Sequence, residues 1–390
     1  MSELFRRTFA EINLEHLESN FLEIQKVAGS DRFLCPMVKA NGYGHGDVQI
    51  AKHLENIGAK NVGVCLIEEG LLLRSSGVKS DILVFRGFDK YGAQVITDHQ
   101  MTPVISTWEQ ILFIEAIADD PIKVHLKFNT GMNRLGFNPD QAEKLFGYFK
   151  NSKKLKLKAI LSHFYNGEDA HLGNGDSHTQ TQKMEQLCDF FKPLNIFAHL
   201  LNSGGIASLA KVKNQSEHYL NKYNWGFRPG LMLYGYQPKN IFNEINLKPV
   251  MSLKSVVNNI RDVQIGETVS YGAKWTAQKP SKIAVVPIGY ADGVHRLLSN
   301  KSEALFLGKL APIVGRICMD FLMLDVTDIL NANTVVQKFD DQEVVLFGFD
   351  EFGNFLSAEK AAESAQTITW EILTSVGERV PRLFKGGQEL

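Results

Sequence analysis

From Phe33 to Arg228 the chain alternates short apolar runs with stretches of helical periodicity, a rhythm that few folds accommodate. The runs are Phe33–Val38, Val62–Ile67, Ile82–Phe85, Pro103–Ser106, Val124–Phe128, Leu157–His163, Ile196–Leu201 and Trp225–Arg228. Stretches between them, such as Trp108–Ala118 and Gln141–Phe149, read as helices. Ahead of the first run, Asn13 can cap a helix in which Leu14, Leu17, Phe21 and Ile24 recur at helical spacing. Eight strand–helix units in succession predict a parallel (β/α)8 TIM-type barrel. An open doubly wound sheet is the alternative, because a count of strands does not show closure.

After Lys248-Pro249 the character changes. Val256–Ile260, Ile283–Ile288, Ile313–Cys318, Phe321–Val326 and Val344–Phe347 are β-rich and bounded by turn residues. One helix-like stretch, Ala358–Ala365, interrupts them, and Arg379–Phe384 closes the pattern in extended form. A chain of 390 residues is long for a single core, so two domains are expected. The division falls at a barrel over 1–244 and a mainly β domain over 245–390, with the first ten or so residues free to pack on the β domain.

The balance of charge removes several classes of function. With 22% charged residues and a formal net charge of -1, nothing marks the chain for nucleic acid or an anionic membrane. The four cysteines, Cys35, Cys65, Cys188 and Cys318, are scattered without a CxxC pair, which argues against a disulfide framework or a zinc site. No apolar stretch has the length of a membrane span or the form of a signal peptide, so a cytoplasmic protein is expected.

The chemically capable residues fall at the ends of the runs. Lys39 ends the first and opens Ala40-Asn-Gly-Tyr-Gly-His-Gly46, where three glycines let the backbone approach a bulky ligand. A lysine delivered there by an apolar strand suits a Schiff base, although a surface lysine before an ordinary turn reads equally well from this segment alone. Arg134 follows the fifth run, His163 ends the sixth, Asn202 and Ser203 follow the seventh, and Arg228 ends the eighth. In a barrel these positions share the C-terminal mouth, where active sites gather. Asn202-Ser-Gly-Gly205 and Gly230-Leu231 offer a hydroxyl and backbone N–H groups after strands seven and eight, a frequent place for phosphate. Opposite a candidate Schiff-base lysine, that cradle points to pyridoxal phosphate.

Val38-Lys-Ala-Asn-Gly-Tyr-Gly-His-Gly46, Thr130-Gly-Met-Asn-Arg-Leu-Gly136, Arg228-Pro-Gly and Val269-Ser-Tyr-Gly272 resemble alanine racemase. So do Gly289-Tyr-Ala-Asp-Gly293 and Val314-Gly-Arg-Ile-Cys-Met-Asp320, and the motifs keep their order from about residue 8 to 384. The resemblance implies a pyridoxal-phosphate barrel joined to a β domain, working as a head-to-tail homodimer with shared active sites and supplying D-alanine for peptidoglycan. It implies that Lys39 carries the cofactor and is one of two bases, and that Tyr271 of the other subunit is the opposing base. Arg228 would meet the pyridine nitrogen, and Tyr43, Ser203, Gly230 and Leu231, beside Asn202, would hold the phosphate. Arg134 would bind the substrate carboxylate with help from the Met319 backbone, and Tyr290 would line the entrance. His163 would link Tyr271 to Arg228, while Lys127 matches a lysine that is often carbamylated to brace Arg134.

Two bases on opposite faces of Cα are what racemisation requires, and such acid–base catalysis is worth roughly 10²–10⁴-fold. An arginine at the pyridine nitrogen can only donate, so the ring becomes a weaker electron sink than it would be beside an aspartate. Two positions depart from the family pattern: Asn129 replaces an aspartate, and Trp370 replaces a tyrosine that reaches the phosphate and narrows the pocket. Both bear on substrate range and cofactor grip. The competing readings are a broader-specificity amino-acid racemase, a barrel-type amino-acid decarboxylase, which would place a glutamate against the pyridine nitrogen, and a non-catalytic cofactor carrier, which would lack the β domain.

Overall fold

A computed structural model describes residues 5–29, 31–168, 177–211, 222–237, 245–331 and 342–387. The chain divides into two compact units, one of residues 16–42 and 47–248, the other of residues 1–15, 43–46 and 249–390. No helix among the described residues is long and apolar enough to cross a membrane.

The first unit is built on β2 (Asn61–Val64), β3 (Asp81–Val84), β4 (Thr102–Ile105), β5 (Ile122–Lys127), β6 (Leu155–Leu161), β7 (Phe197–Leu201) and β8 (Trp225–Phe227). These seven strands pair in chain order, each parallel to the next. The expected first strand, Phe33–Val38, is not a regular strand. Pro36 has no N–H to give to a ladder, so pairing survives only on either side of it. Cys35 and Met37 donate to Phe227 O and Pro229 O, both at 2.9 Å. Val38 N–H reaches Gly63 O at 2.9 Å, and Gly63 N–H returns to Pro36 O at 2.8 Å. Parallel bridges Leu34–Phe227 and Met37–Gly63 therefore join the two edges of the sheet, and the barrel closes. Closure leaves no free edge.

Helices follow the strands as the periodicity predicts, with local starts written in the chain. Asp89 accepts Gly92 N–H at 2.8 Å to cap Lys90–Asp98, and Thr107 caps Trp108–Ile117. Strand residues facing the core, including Val62, Val64, Leu83, Val104, Leu126 and Phe227, are wholly buried. Each is worth roughly 1.5–3 kcal/mol relative to exposure, an upper bound set by the extended-chain reference.

The second unit contains β1 (Phe9–Asn13), β9 (Met251–Val256), β10 (Asn259–Val263), β11 (Ser281–Val286), β12 (Glu303–Phe306), β13 (Lys309–Pro312), β14 (Leu322–Asp325), β15 (Glu343–Phe349), β16 (Phe355–Leu356) and β17 (Arg382–Lys385). One sheet runs β13-β12-β15-β9-β1-β17, with β16 beside β15, and a second runs β10-β11-β14. Strands far apart in the chain thus meet in one sheet, β1 lying antiparallel to β9 and parallel to β17. The expected strand Val256–Ile260 proves to be the junction between β9 and β10. Ile313–Cys318 is a loop that keeps one bridge, Ile313–Leu324, because Gly315 at φ +72° turns the chain away.

Candidate active site

Lys39 follows the buried Val38 and is itself only half-buried, less enclosed than its apolar lead-in suggests. The chain then enters a left-handed turn: Ala40, Asn41 and Gly42 have φ of 52°, 53° and 59°, and Tyr43 has 54°. Glycine adopts this freely, but each alanine or tyrosine there costs roughly 1–2 kcal/mol. The turn is fastened by Gly42 N–H to Val38 O at 2.9 Å, Ala40 N–H to Glu69 Oε1 at 2.7 Å, and Asp47 N–H to Asn41 Oδ1 at 3.1 Å.

Four cations surround this end of the barrel. Lys127 ends β5, is 7% exposed and has its pKa lowered to about 8, first by burial, then by Arg228, Arg134 and Lys39, with the Cys65 thiol opposing them. Burial pushes Arg228 down to about 10, so it remains a cation at neutral pH. Among the described residues no carboxylate lies at ion-pair distance from Lys39, Lys127, Arg134 or Arg228. Lys127 and Arg228 are buried, Lys39 is half-buried and Arg134 is exposed. The two buried charges of one sign are costly without compensation, and a bound anion would relieve them.

Arg228 is held by three neighbours. Its Nη1 donates to His199 Nδ1 at 2.7 Å and His199 O at 2.5 Å, and its Nη2 to Ser162 O at 2.7 Å. A longer contact of 3.4 Å joins Nη2 to His163 Nδ1. A guanidinium can only donate, so both imidazoles accept through Nδ1 and carry their proton on Nε2. His199 Nε2 then donates to His125 Nδ1 at 2.9 Å, extending the line into the barrel core. Burial, then Arg228, lowers the pKa of His125 to about 3, and the same causes put His163 and His199 well below 6.5. The sequence reading missed His125 and His199. Their one signal was a histidine inside an apolar strand, and irregular registers at Val124/His125 and His199/Leu201 accompany the way they face inward.

The loop bearing Arg134 is organised by Asn129, one of the two departures. Its Oδ1 accepts Gly131 N–H at 3.2 Å and Asn133 N–H at 2.9 Å, while its Nδ2 donates to Asn133 Oδ1 at 2.9 Å. An ionised aspartate accepts but cannot make that donation. Gly136, at φ +117°, closes the loop where a Cβ would stand 2.7 Å from the Phe128 carbonyl carbon. Gln180, also missed, donates to His163 O at 2.9 Å and to Thr130 Oγ1 at 3.3 Å.

Ser203 and Gly230 come together as the sequence expects. Ser203 Oγ accepts Gly230 N–H at 3.0 Å and Met232 N–H at 3.4 Å, tying the loop after β7 to the loop after β8. With both lone pairs used, its O–H proton is left to donate elsewhere. Asn202 works as a brace: Oδ1 accepts Gly205 N–H at 3.0 Å and Nδ2 reaches Phe164 O at 3.4 Å. The Ser203–Lys211 helix cannot itself supply acceptors for its first N–H groups, at Ser203 and Gly204. Leu231, buried, opens the Leu231–Tyr234 turn directly after Gly230. The Ser203 hydroxyl with the N–H groups of Ser203, Gly204 and Leu231 forms a donor set for a phosphate, while the N–H groups of Gly230 and Met232 are spent on Ser203 Oγ.

The β unit presents the remaining residues. Tyr271 stands on the loop between the bridged Thr268 and Thr276 and is 69% exposed. Ser270 Oγ anchors that loop to Arg316 O at 2.6 Å. Tyr271 and Met319 border one cavity together with Val269, Ile283, Phe321 and Met323. The Tyr290 loop is stitched to the Met319 loop by Tyr290 N–H to Cys318 O and Ala291 N–H to Met319 O, both 3.0 Å. A Cβ on Gly289 would sit 2.3 Å from Met319 O, so only glycine permits that approach. Tyr43 is buried and Trp370, in the Thr369–Thr374 helix, is half-buried, both within this unit.

The alanine racemase N-terminal domain family matches residues 12–238, and the alanine racemase C-terminal domain family matches residues 250–384. The alanine racemase of Halothermothrix orenii is 33% identical over 384 residues, 97% of each protein. Among solved structures, that of an alanine racemase from Clostridium difficile 630 superposes with a TM-score of 0.86 at 29% identity, covering 98% of this chain and 97% of the other. An alanine racemase from Bartonella henselae, solved with covalently bound pyridoxal phosphate, gives 0.80 at 28% identity, covering 97% and 99%.

Proposed function

The chain belongs to the alanine racemase family, and from that membership we propose that it interconverts L- and D-alanine, using pyridoxal 5'-phosphate held at the barrel mouth and acting as a homodimer. The observation that carries the reading is the cluster of Lys39, Lys127, Arg134 and Arg228, with no compensating carboxylate among the described residues, together with the donor set around Ser203. A cofactor bearing a phosphate and a phenolic oxygen, with a substrate bearing a carboxylate, supplies the anions this cluster lacks. The residues therefore fit the group.

When bound, the cofactor serves as the electron sink that makes the Cα proton of an amino acid removable. Lys39 would hold it covalently and, once displaced by substrate, move the proton on one face of Cα. Tyr271, supplied by the second copy of the chain, would move it on the other. Arg228 can only donate a hydrogen bond and would leave the pyridine nitrogen unprotonated, weakening the sink and disfavouring transamination. The Arg228 partners are two neutral histidines and two carbonyls, so no acid is in place to reverse that choice. That argues against the decarboxylase alternative.

The other roles follow from the same reading. Ser203, Leu231 and Tyr43 would bind the phosphate, with Asn202 and Gly230 shaping its loops and Trp370 bordering the site. Arg134 would take the substrate carboxylate, aided by the Met319 backbone, and Tyr290 would line the approach. His163 would pass the influence of Arg228 to Tyr271. Carbamylated, Lys127 would give Arg134 a negative partner. The homodimer is supported by the exposure of Tyr271, Met319 (52%) and Phe321 (40%) on one apolar face.

The direct test is L-alanine in heavy water with the purified chain and pyridoxal phosphate. The expected result is deuterium at Cα together with D-alanine. Absence of exchange, or release of carbon dioxide, overturns the proposal.

A further inference from the structure

Four residues after Lys39, the segment Tyr43–Gly46 groups with the β unit although both its flanks group with the barrel. Three contacts inside the β unit grip it. Arg382 on β17 donates Nε–H to Gly44 O at 3.0 Å. The same guanidinium binds Gly377 O at 2.6 Å, Val380 O at 2.7 Å and Val376 O at 2.5 Å. Gly44, at φ +85°, lies so close to the Thr369–Thr374 helix that a Cβ would come 2.2 Å from Leu373 O. Gly46, at φ +97°, is covered by the Phe384 ring, 2.9 Å from where its Cβ would stand.

A guanidinium that spends its donors on four backbone carbonyls is a fixture for the chain, since its planar fork fixes each acceptor in direction as well as distance. One acceptor belongs to the residue after Tyr43, and the others to the segment that follows the helix bearing Trp370. The left-handed turn through Tyr43 persists only where its surroundings over-determine it. We propose that Arg382 is a positioning residue that locks the Tyr43–Gly46 tongue and thereby aims the Tyr43 hydroxyl at the phosphate of the cofactor. The proposal rests on the pyridoxal-phosphate reading above.

The test is equilibrium titration of the full-length chain, freed of cofactor, with pyridoxal phosphate and with pyridoxal, followed by absorbance. Arg382→Gln is expected to weaken pyridoxal phosphate about tenfold and pyridoxal less than about twofold. On a Tyr43→Phe background the same change should alter pyridoxal phosphate affinity less than about twofold, since the two residues act as one unit. Equal losses for both probes, or additive losses in the double variant, mean that Arg382 serves only the fold and overturn the proposal. Circular dichroism checks that Arg382→Gln folds. Should it not, Phe384→Ala removes the opposite side of the grip and must show the same phosphate-selective loss, or the proposal falls. Wild-type chain that binds no pyridoxal phosphate overturns the cofactor reading and the clamp with it. Wild-type chain that binds while Arg382→Gln binds equally well overturns the clamp alone.

Discussion

Lys127 sits in an environment far from the usual one for its type. An ordinary lysine amine titrates near 10.5, whereas burial and three neighbouring cations bring this one to about 8. About half of it is then neutral near pH 8, the form that reacts with carbon dioxide. With labelled bicarbonate at that pH, carbon NMR should show a carbamate resonance that is lost in Lys127→Ala. Its persistence in the variant, or its absence from the wild type, would remove the proposed support for Arg134. The histidines predict an effect of pH on stability. His125, His163 and His199 all have folded pKa values depressed below the usual 6.5, so they take up protons only on unfolding. The unfolded state then binds more protons below about pH 6.5, and stability falls as pH drops through that value and below. Urea midpoints measured from pH 7.5 to 5 should decline, and His125→Phe should flatten the decline. A midpoint independent of pH would contradict the neutral, buried assignment.

At the scale of elements, the loop after β7 and the loop after β8 behave as one part because a single hydroxyl joins them. Ser203→Ala strands the N–H groups of Gly230 and Met232 in a buried place, which costs about 1–3 kcal/mol each where no water replaces the acceptor. It also deletes a phosphate donor, so pyridoxal phosphate affinity should fall at least about tenfold. Titration combined with urea unfolding measures both effects, and a change in one without the other would separate the two roles of Ser203. The loops themselves were legible in the chain, since Asn202-Ser-Gly-Gly205 and Gly230-Leu231 announce turns at strand ends. The bond between them was not, because no local pattern links positions 27 residues apart. The Phe33–Val38 segment shows the same limit in reverse. Its apolar run is a good strand signal, yet Pro36 reduces it to separate bonds on two edges.

For the whole molecule, the two proposed bases lie in different compact units, Lys39 in the barrel and Tyr271 in the β unit. If each active site draws Tyr271 from the second copy, two inactive variants can repair each other. Lys39→Ala mixed with Tyr271→Phe, after unfolding and refolding together, gives hybrid dimers with one site broken twice and one intact. Equal mixing should then restore roughly a quarter of wild-type activity, by the two-fold symmetry of a closed dimer. No recovery, with hybrid formation verified, would place both bases within one chain.

The sequence by itself determined the strand rhythm, the change of character after Pro249, and the chemical types at the strand ends, because these depend on periodicity and local turn chemistry. The tertiary structure decided what those residues meet. Barrel closure across Leu34 and Met37, the line from Arg228 through His199 to His125, and the capture of Gly44 by Arg382, 338 positions along the chain, are all long-range. A histidine in an apolar strand or an arginine near a terminus has many possible neighbours, and only packing selects one. Burial and the field of nearby charges then give each group its chemistry.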